Sequence, residues 1–241
     1  MSESPASATV QAAPVDSFGI ALPPDWVRFP LEGADFEAFV RLQRARLAES
    51  GQLSKTAQRQ FELVMRQIRN DCERENVTLA ALLAAPIDPD SPTGEVGPEP
   101  SENLHLLSAT CTLSTVTQGS LGTDLPLTVN TIAAAMGREP GADEDGVEAV
   151  NLEPPARIEL AAGRAVKLVR LHTYPPHPET RQRLSVFAQH LFVPYDAGRR
   201  AAVITFSTPN VEYAKPLSGL FDEMAATFRM FGGDDPTDPL A

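Results

Sequence analysis

Between Ser17 and Phe231 the chain alternates apolar and polar residues or repeats apolar ones at helical spacing, most clearly from Leu184 onward. Two β-type runs, Leu184 to Val193 and Ala201 to Ser207, flank a turn containing Asp196, Ala197 and Gly198, the signature of an antiparallel hairpin. Leu217, Leu220, Phe221, Met224, Phe228 and Phe231 then fall at i, i+3, i+4, i+7, i+11 and i+14. This spacing predicts one helix whose apolar stripe lies on the sheet. The rest of the chain is organised around this unit.

Earlier segments supply the remaining elements. Phe18 to Ala21 reads as a short strand ended by Pro23 and Pro24, with Trp26 folding back into the core. Asp35 is a candidate N-cap for a helix carrying Phe36, Phe39, Val40 and Leu47 on one face, stopped by Ser50 and Gly51. Ser54 can cap a second helix, with Phe61, Val64, Met65, Ile68 and Cys72 as its stripe and Asn76 as its C-cap. Val77 to Ala85 reads as a buried strand, its alanines leaving continued helix as the alternative. Leu104 to Thr117, rich in threonine, is extended and pairs with it as a hairpin. Leu127 to Met136 is a short helix closed by Gly137, and Val147 to Leu152 follows it. Arg157 to Leu160 and Ala165 to Thr173 form a further hairpin around Gly163, before a Pro-rich loop from Pro175 to Pro178. No repeat period of a solenoid is present.

The expected architecture is one α+β domain over 17–231, a mostly antiparallel sheet with helices on both faces. Residues 1–16 form a disordered leader, 35–76 a helical addition, 86–102 and 138–146 acidic loops, and 232–241 an acidic tail. At 241 residues and 42% hydrophobic content the chain can bury a sizeable core, and no apolar run is long enough to span a bilayer. The first residues lack a basic n-region and an apolar core, so a cytoplasmic location without membrane attachment is the expectation.

The formal net charge of -12 changes the picture through its distribution. Pro86 to Glu102 holds Asp88, Asp90, Glu95, Glu99 and Glu102 with no base; Arg138 to Glu153 is acid-rich; the tail adds Asp234, Asp235 and Asp238. Acidic loops repel phosphate backbones, which argues against nucleic acid as a partner. Arg59, Arg66, Arg69 and Arg74 could form a basic partner-binding strip, but Glu62, Asp71, Glu73 and Glu75 lie among them, so a solvated face is the simpler reading.

Candidate chemistry is sparse. There is no GxGxxG, Walker A pattern, HExxH, EF-hand loop or CxxC pair, so no cofactor or metal is expected and no site residue is assigned. Gly119-Ser-Leu-Gly122 departs from a nucleophile elbow in its order and reads as a plain turn. His172 and His177 are spaced as two metal ligands could be, but no acid or thiol completes a set. His190 shares a strand face with Val186, Ala188 and Phe192 and reads as a hydrogen-bonded structural histidine rather than a general base. Cys72 and Cys111, the only cysteines, sit in apolar patterns as buried thiols.

Several segments together resemble the PsbP-like α/β/α sandwich superfamily, including LpqN-type lipoproteins and Ran-binding import factors. They are Ile20-Ala-Leu-Pro-Pro-Asp-Trp26, the late hairpin Leu184 to Ser207, Thr208-Pro209-Asn210, and a closing helix ending Thr227-Phe-Arg-Met230. The helices of 35–76 stand as an addition between the first and second strands. The resemblance implies a non-enzymatic interaction or accessory module with a protein partner, and transfers no site residues. A binder of a small apolar ligand between sheet and helices is the alternative, followed by a hydrolase.

Overall fold

The computed structural model describes residues 15–49, 66, 69–70, 72–87, 105–122, 124–138, 146–176, 181 and 183–232. Its ten strands are β1 (Val15–Gly19), β2 (Trp26–Phe29), β3 (Val77–Ile87), β4 (His105–Thr117), β5 (Glu148–Asn151), β6 (Ala156–Leu160), β7 (Gly163–Thr173), β8 (Ser185–Tyr195), β9 (Arg200–Thr208) and β10 (Arg229–Gly232). Three helices are described over their whole length: α1 (Gly33–Glu49), α2 (Val129–Met136) and α3 (Ala214–Ala226). A further helical segment is seen at Arg66, at Arg69 and Asn70, and from Cys72 to Arg74.

Eight strands make one antiparallel sheet in the order β2-β3-β4-β9-β8-β7-β5, with β6 also paired to β7, while β1 and β10 form a separate ribbon. The predicted hairpins β3–β4, β6–β7 and β8–β9 all form. The β8–β9 turn runs through three successive left-handed residues, Asp196, Ala197 and Gly198. Only Gly takes the last position freely: a Cβ on Gly198 would lie 3.1 Å from Pro126 Cβ, and its carbonyl accepts from the Leu127 N–H.

Because side chains alternate along each strand, the sheet has two distinct faces. On the first, Ala81, Leu83, Cys111, Leu113, Leu191, Ile204 and Phe206 pack under α3 through Leu217, Phe221, Met224 and Ala225. Phe206 and Phe221 stack with ring centroids 4.9 Å apart, and Trp26 meets Phe221 edge-on. Trp26 is therefore core, as its position suggests. On the second face α2 covers Val166, Leu168, Phe192 and Val203 with Ile132. Beside β2 and β3, α1 covers Phe29 and Ala80 with Phe36 and Val40, and Cys72 joins that cluster. Helices thus lie on both faces, and among the described residues none is long and apolar enough to cross a membrane.

Polar side chains fix α3 on the first face. Gln189, fully buried, donates from Nε2 to Asp222 Oδ1 (2.8 Å) and accepts from Ser218 Oγ (2.9 Å). Lys167 Nζ donates to both Asp222 oxygens at 2.6 and 2.7 Å. Asp222 and Ser218 are four residues apart on one helix face, so a single register of α3 satisfies all of them.

The segment Thr208-Pro209-Asn210 has a clear task. Pro209 lacks the N–H that would extend the ladder, and side chains take over. Thr208 Oγ1 donates to the Ser108 carbonyl (2.7 Å), and Asn210 Oδ1 accepts from the Ser108 N–H (2.8 Å).

Several expectations are corrected. The last helix ends at Ala226 instead of running through Phe228 and Phe231, and residues 229–232 become β10. Thr227 diverts the chain: its hydroxyl donates to the Met224 carbonyl and accepts from the Ala21 N–H, tying the helix end to the segment after β1. Phe228 still reaches the core, stacked on Phe18. The first strand is Val15–Gly19, so Val15 and Asp16 belong to the fold and not to a leader, and Gly232 belongs to β10 and not to a tail. Asp35 lies inside the first turn of α1 rather than capping it. β2 was not expected, and it places the helical addition between the second and third strands. Pro86 and Ile87 extend β3, whereas most of 86–102, part of 138–146, Phe61, Val64, Met65, Ile68, and all of 1–14 and 233–241 lie outside the described residues.

Candidate functional site

On the second face, over the strip of sheet between the clusters that α1 and α2 cover, lies a cleft of about 610 Å³ lined by strand residues and by Cys72, Glu75 and Tyr174. One wall is apolar: Phe29, Cys72, Val77, Ala80 and Leu82. The floor is made of hydroxyl groups, Thr110, Thr112 and Ser114 from β4 and Thr205 and Ser207 from β9, with Tyr174 and Glu75 at the margin.

Strand register arranges these residues in rows across the sheet. One row runs Phe29, Ala80, Thr112, Thr205, His190, and the next runs Val27, Leu82, Thr110, Ser207, Ala188, Arg170, Asn151. Adjacent strands are about 4.8 Å apart, so from Phe29 to Thr205 and from Val27 to Ser207 each row passes from apolar to hydroxyl-bearing side chains over roughly 15 Å.

The hydroxyls differ in their engagement. Thr110 and Ser207 bond each other at 2.6 Å, and Thr205 Oγ1 lies 3.0 Å from His190 Nδ1. Thr112 and Ser114 line the cleft with no side-chain partner among the described residues.

His190 follows Thr205 in the first row and pairs in turn with Leu168. Its Nε2 is sealed from solvent and has no hydrogen-bond partner, while the His172 ring stands edge-on with centroids 5.9 Å apart. Burial first, then the nearby His172 and Arg170, press its pKa down to about 3, so the imidazole is neutral at any ordinary pH. Arg170 Nε donates to Asn151 Oδ1 (2.8 Å), and Asn151 Nδ2 in turn donates to the Met136 carbonyl at the end of α2. Burial also lowers the Arg170 pKa.

No protein-family model matches the chain, and no curated protein matches it in sequence. One solved structure stands among those that are similar. It is LpqN of Mycobacterium tuberculosis, described as involved in cell envelope biogenesis, at 10% identity and a TM-score of 0.40 over 90% of this chain and 85% of that one.

The residues singled out in the sequence fall into place unevenly. His190 shares its face with Ala188 and Phe192 and is hydrogen-bonded, as its position suggests; its orphaned Nε2 had no sequence signal. The structure brings His172 to His190, and His177 lies outside the described residues. Gly119-Ser-Leu-Gly122 is a pair of turns, with N–H groups of Ser120 and Gly122 donating to Thr117 and Gly119 carbonyls. Cys72 and Cys111 are buried free thiols, and burial pushes the Cys111 pKa up to about 12. Arg66 is clamped to Glu37 at 2.7 and 3.0 Å, and that hydrogen bond lowers the Glu37 pKa; Arg69 pairs with Glu73 above the Phe36 ring. These two arginines brace the helices and offer no free basic strip. Arg59 lies outside the described residues.

A second cleft, of about 640 Å³, lies between the start of α2 and the β6–β7 hairpin. Its Arg164 is already paired with Glu159 at 3.0 Å. Asn130 and Arg157 line it as well; the first cleft is the better candidate because it sets an apolar wall directly beside a floor of hydroxyls.

Proposed function

We propose that the chain is a non-catalytic binding module that holds a small, largely apolar molecule in the cleft between the clusters that α1 and α2 cover. The observation that carries this reading is the cleft's lining, an apolar wall beside a floor of hydroxyls of which Thr112 and Ser114 are unengaged. Its volume is in the range of small-molecule sites, which combine apolar walls with a few placed polar groups. Membership of the PsbP-like superfamily belongs to the same proposal. It is supported by the two-sided helical cover of an antiparallel sheet and by the work done by Trp26 and by Thr208 to Asn210.

The test is native mass spectrometry of the purified full chain beside Thr112→Phe, which places a ring in the cleft. Wild type should carry an added mass that the variant loses. If neither protein carries or takes up a small molecule, or both carry the same one, the reading is wrong.

A protein partner is the second reading, favoured by the concentration of acids in 86–102, 138–146 and the tail. Complementary charge raises encounter rates and is screened by salt. A variant with Asp88, Asp90, Glu95, Asp143, Glu144 and Asp145 neutralised should then lose salt-sensitive partners in a pull-down. Identical recovery by both proteins at low and high salt would leave the loops as solubilising linkers.

A further inference from the structure

Resting on the small-molecule reading, we infer that the ligand is an uncharged amphiphile lying across the strands, its hydrocarbon over Phe29, Ala80 and Leu82 and its hydrogen-bonding head on Thr112 and Ser114. Three observations fix this class. The polarity of the cleft changes along the cross-strand rows and not along the strands, so an amphiphile matches it only when laid perpendicular to β4. The two unengaged groups of the floor are hydroxyls, which both donate and accept and so suit an alcohol, ester or amide. Finally, among the described residues the only charged one in the lining is Glu75, at the margin and 3.5 Å from Arg74 Nε.

The charge pattern decides between head groups. A carboxylate or phosphate seated on this floor would meet no cation among the described lining residues and would face Glu75. An ammonium would lose hydration for neutral hydroxyls, because the carboxylate at the margin is already shared with Arg74. Desolvating an unpaired charge is far more costly than desolvating a hydroxyl that regains its hydrogen bonds. The bonded pairs Thr110–Ser207 and Thr205–His190 use part of the hydrogen-bonding capacity of the rest of the floor, which leaves Thr112 and Ser114 with the most to offer the head.

The experiment compares 1-decanol, decanoate and decylammonium, which share a chain and differ in head, by titration calorimetry on the full chain at pH 7.5. Decanol should bind at least tenfold more tightly than either ion. In Thr112→Val with Ser114→Ala its affinity should fall about tenfold, the value of one hydrogen bond of ordinary strength, while binding of the two ions is unchanged. Thermal unfolding of this double variant should match wild type, since neither hydroxyl is used by the fold. Tighter or equal binding of an ion overturns the head-group assignment and leaves the cleft reading standing. Decanol binding that the double variant does not weaken overturns it too. Failure of all three probes in wild type, together with no carried ligand in native mass spectrometry, overturns the cleft reading itself.

Discussion

The two faces of the sheet are built from the same strands, often from neighbouring residues, and they are finished to different degrees. Under α3 the aromatic and aliphatic side chains of the central cluster are buried, and Gln189, the one fully buried amide among the described residues, has partners on both its nitrogen and its oxygen. One residue further on, His190 points to the other face and keeps an Nε2 with no partner, and beyond it Thr112 and Ser114 are unengaged. Native cores satisfy their buried polar groups almost without exception. The first face is therefore packed and satisfied around α3, whereas the second sets two packed clusters on either side of a strip of partly exposed hydroxyls.

The largest effect should come from breaking the finished face. Phe221, fully buried between Trp26 and Phe206, should cost about 3–5 kcal/mol on replacement by Ala, through lost burial and a cavity. Urea unfolding measures it, and a loss under about 1 kcal/mol would contradict the division of labour between the faces.

Acid should act on the other face. His190 has a folded pKa near 3, below its ordinary value of 6.5, so the unfolded chain takes up the proton first as pH falls. Its contribution is complete above pH 6.5 and is lost on acidification, with a slope approaching about 1.4 kcal/mol per pH unit and a loss of about 2 kcal/mol between pH 7 and 5. His190→Gln should flatten that part of the pH profile; an unchanged slope would show that His190 is not the group being titrated.

A smaller effect tests the network that seats α3. Asp222→Ala leaves the Lys167 ammonium and the Gln189 amide without their partner, and should lower stability by about 1–2 kcal/mol. Asp222→Asn keeps an oxygen for Gln189 and should recover part of the loss. Equal stability of all three proteins would mean that apolar packing alone seats the helix.

The smallest effect is expected on the floor of the cleft, where Thr112→Val with Ser114→Ala should change stability by less than about 0.5 kcal/mol, the usual range for positions without structural partners. A larger loss would mean that these hydroxyls belong to the fold, and the contrast between the faces would fail.

Local chemistry made much of this molecule legible in the sequence. Alternation identified β3, β4, β7, β8 and β9, turn residues paired three hairpins, and helical spacing located α1 and α2 and the body of α3, because each signal lies within a dozen residues. The same rules misread Phe228 and Phe231, which fall on the helical period although the helix stops at Ala226. A tertiary contact decides there: the Thr227 hydroxyl bonds across to Ala21, and the open edge of β1 accepts the chain as a strand. β2 was invisible because four residues after two prolines show too little alternation to register. The candidate site was less legible still. Thr110 and Thr112 lie close to a hundred residues from Thr205 and Ser207 in the chain, and only the pairing of β4 with β9 sets them side by side. Sequence by itself determined which residues turn to which side of each strand, since that follows from a period of two. Which strands become neighbours, and hence where apolar wall meets hydroxyl floor, was decided by the tertiary structure, because register between distant strands depends on how the whole core packs.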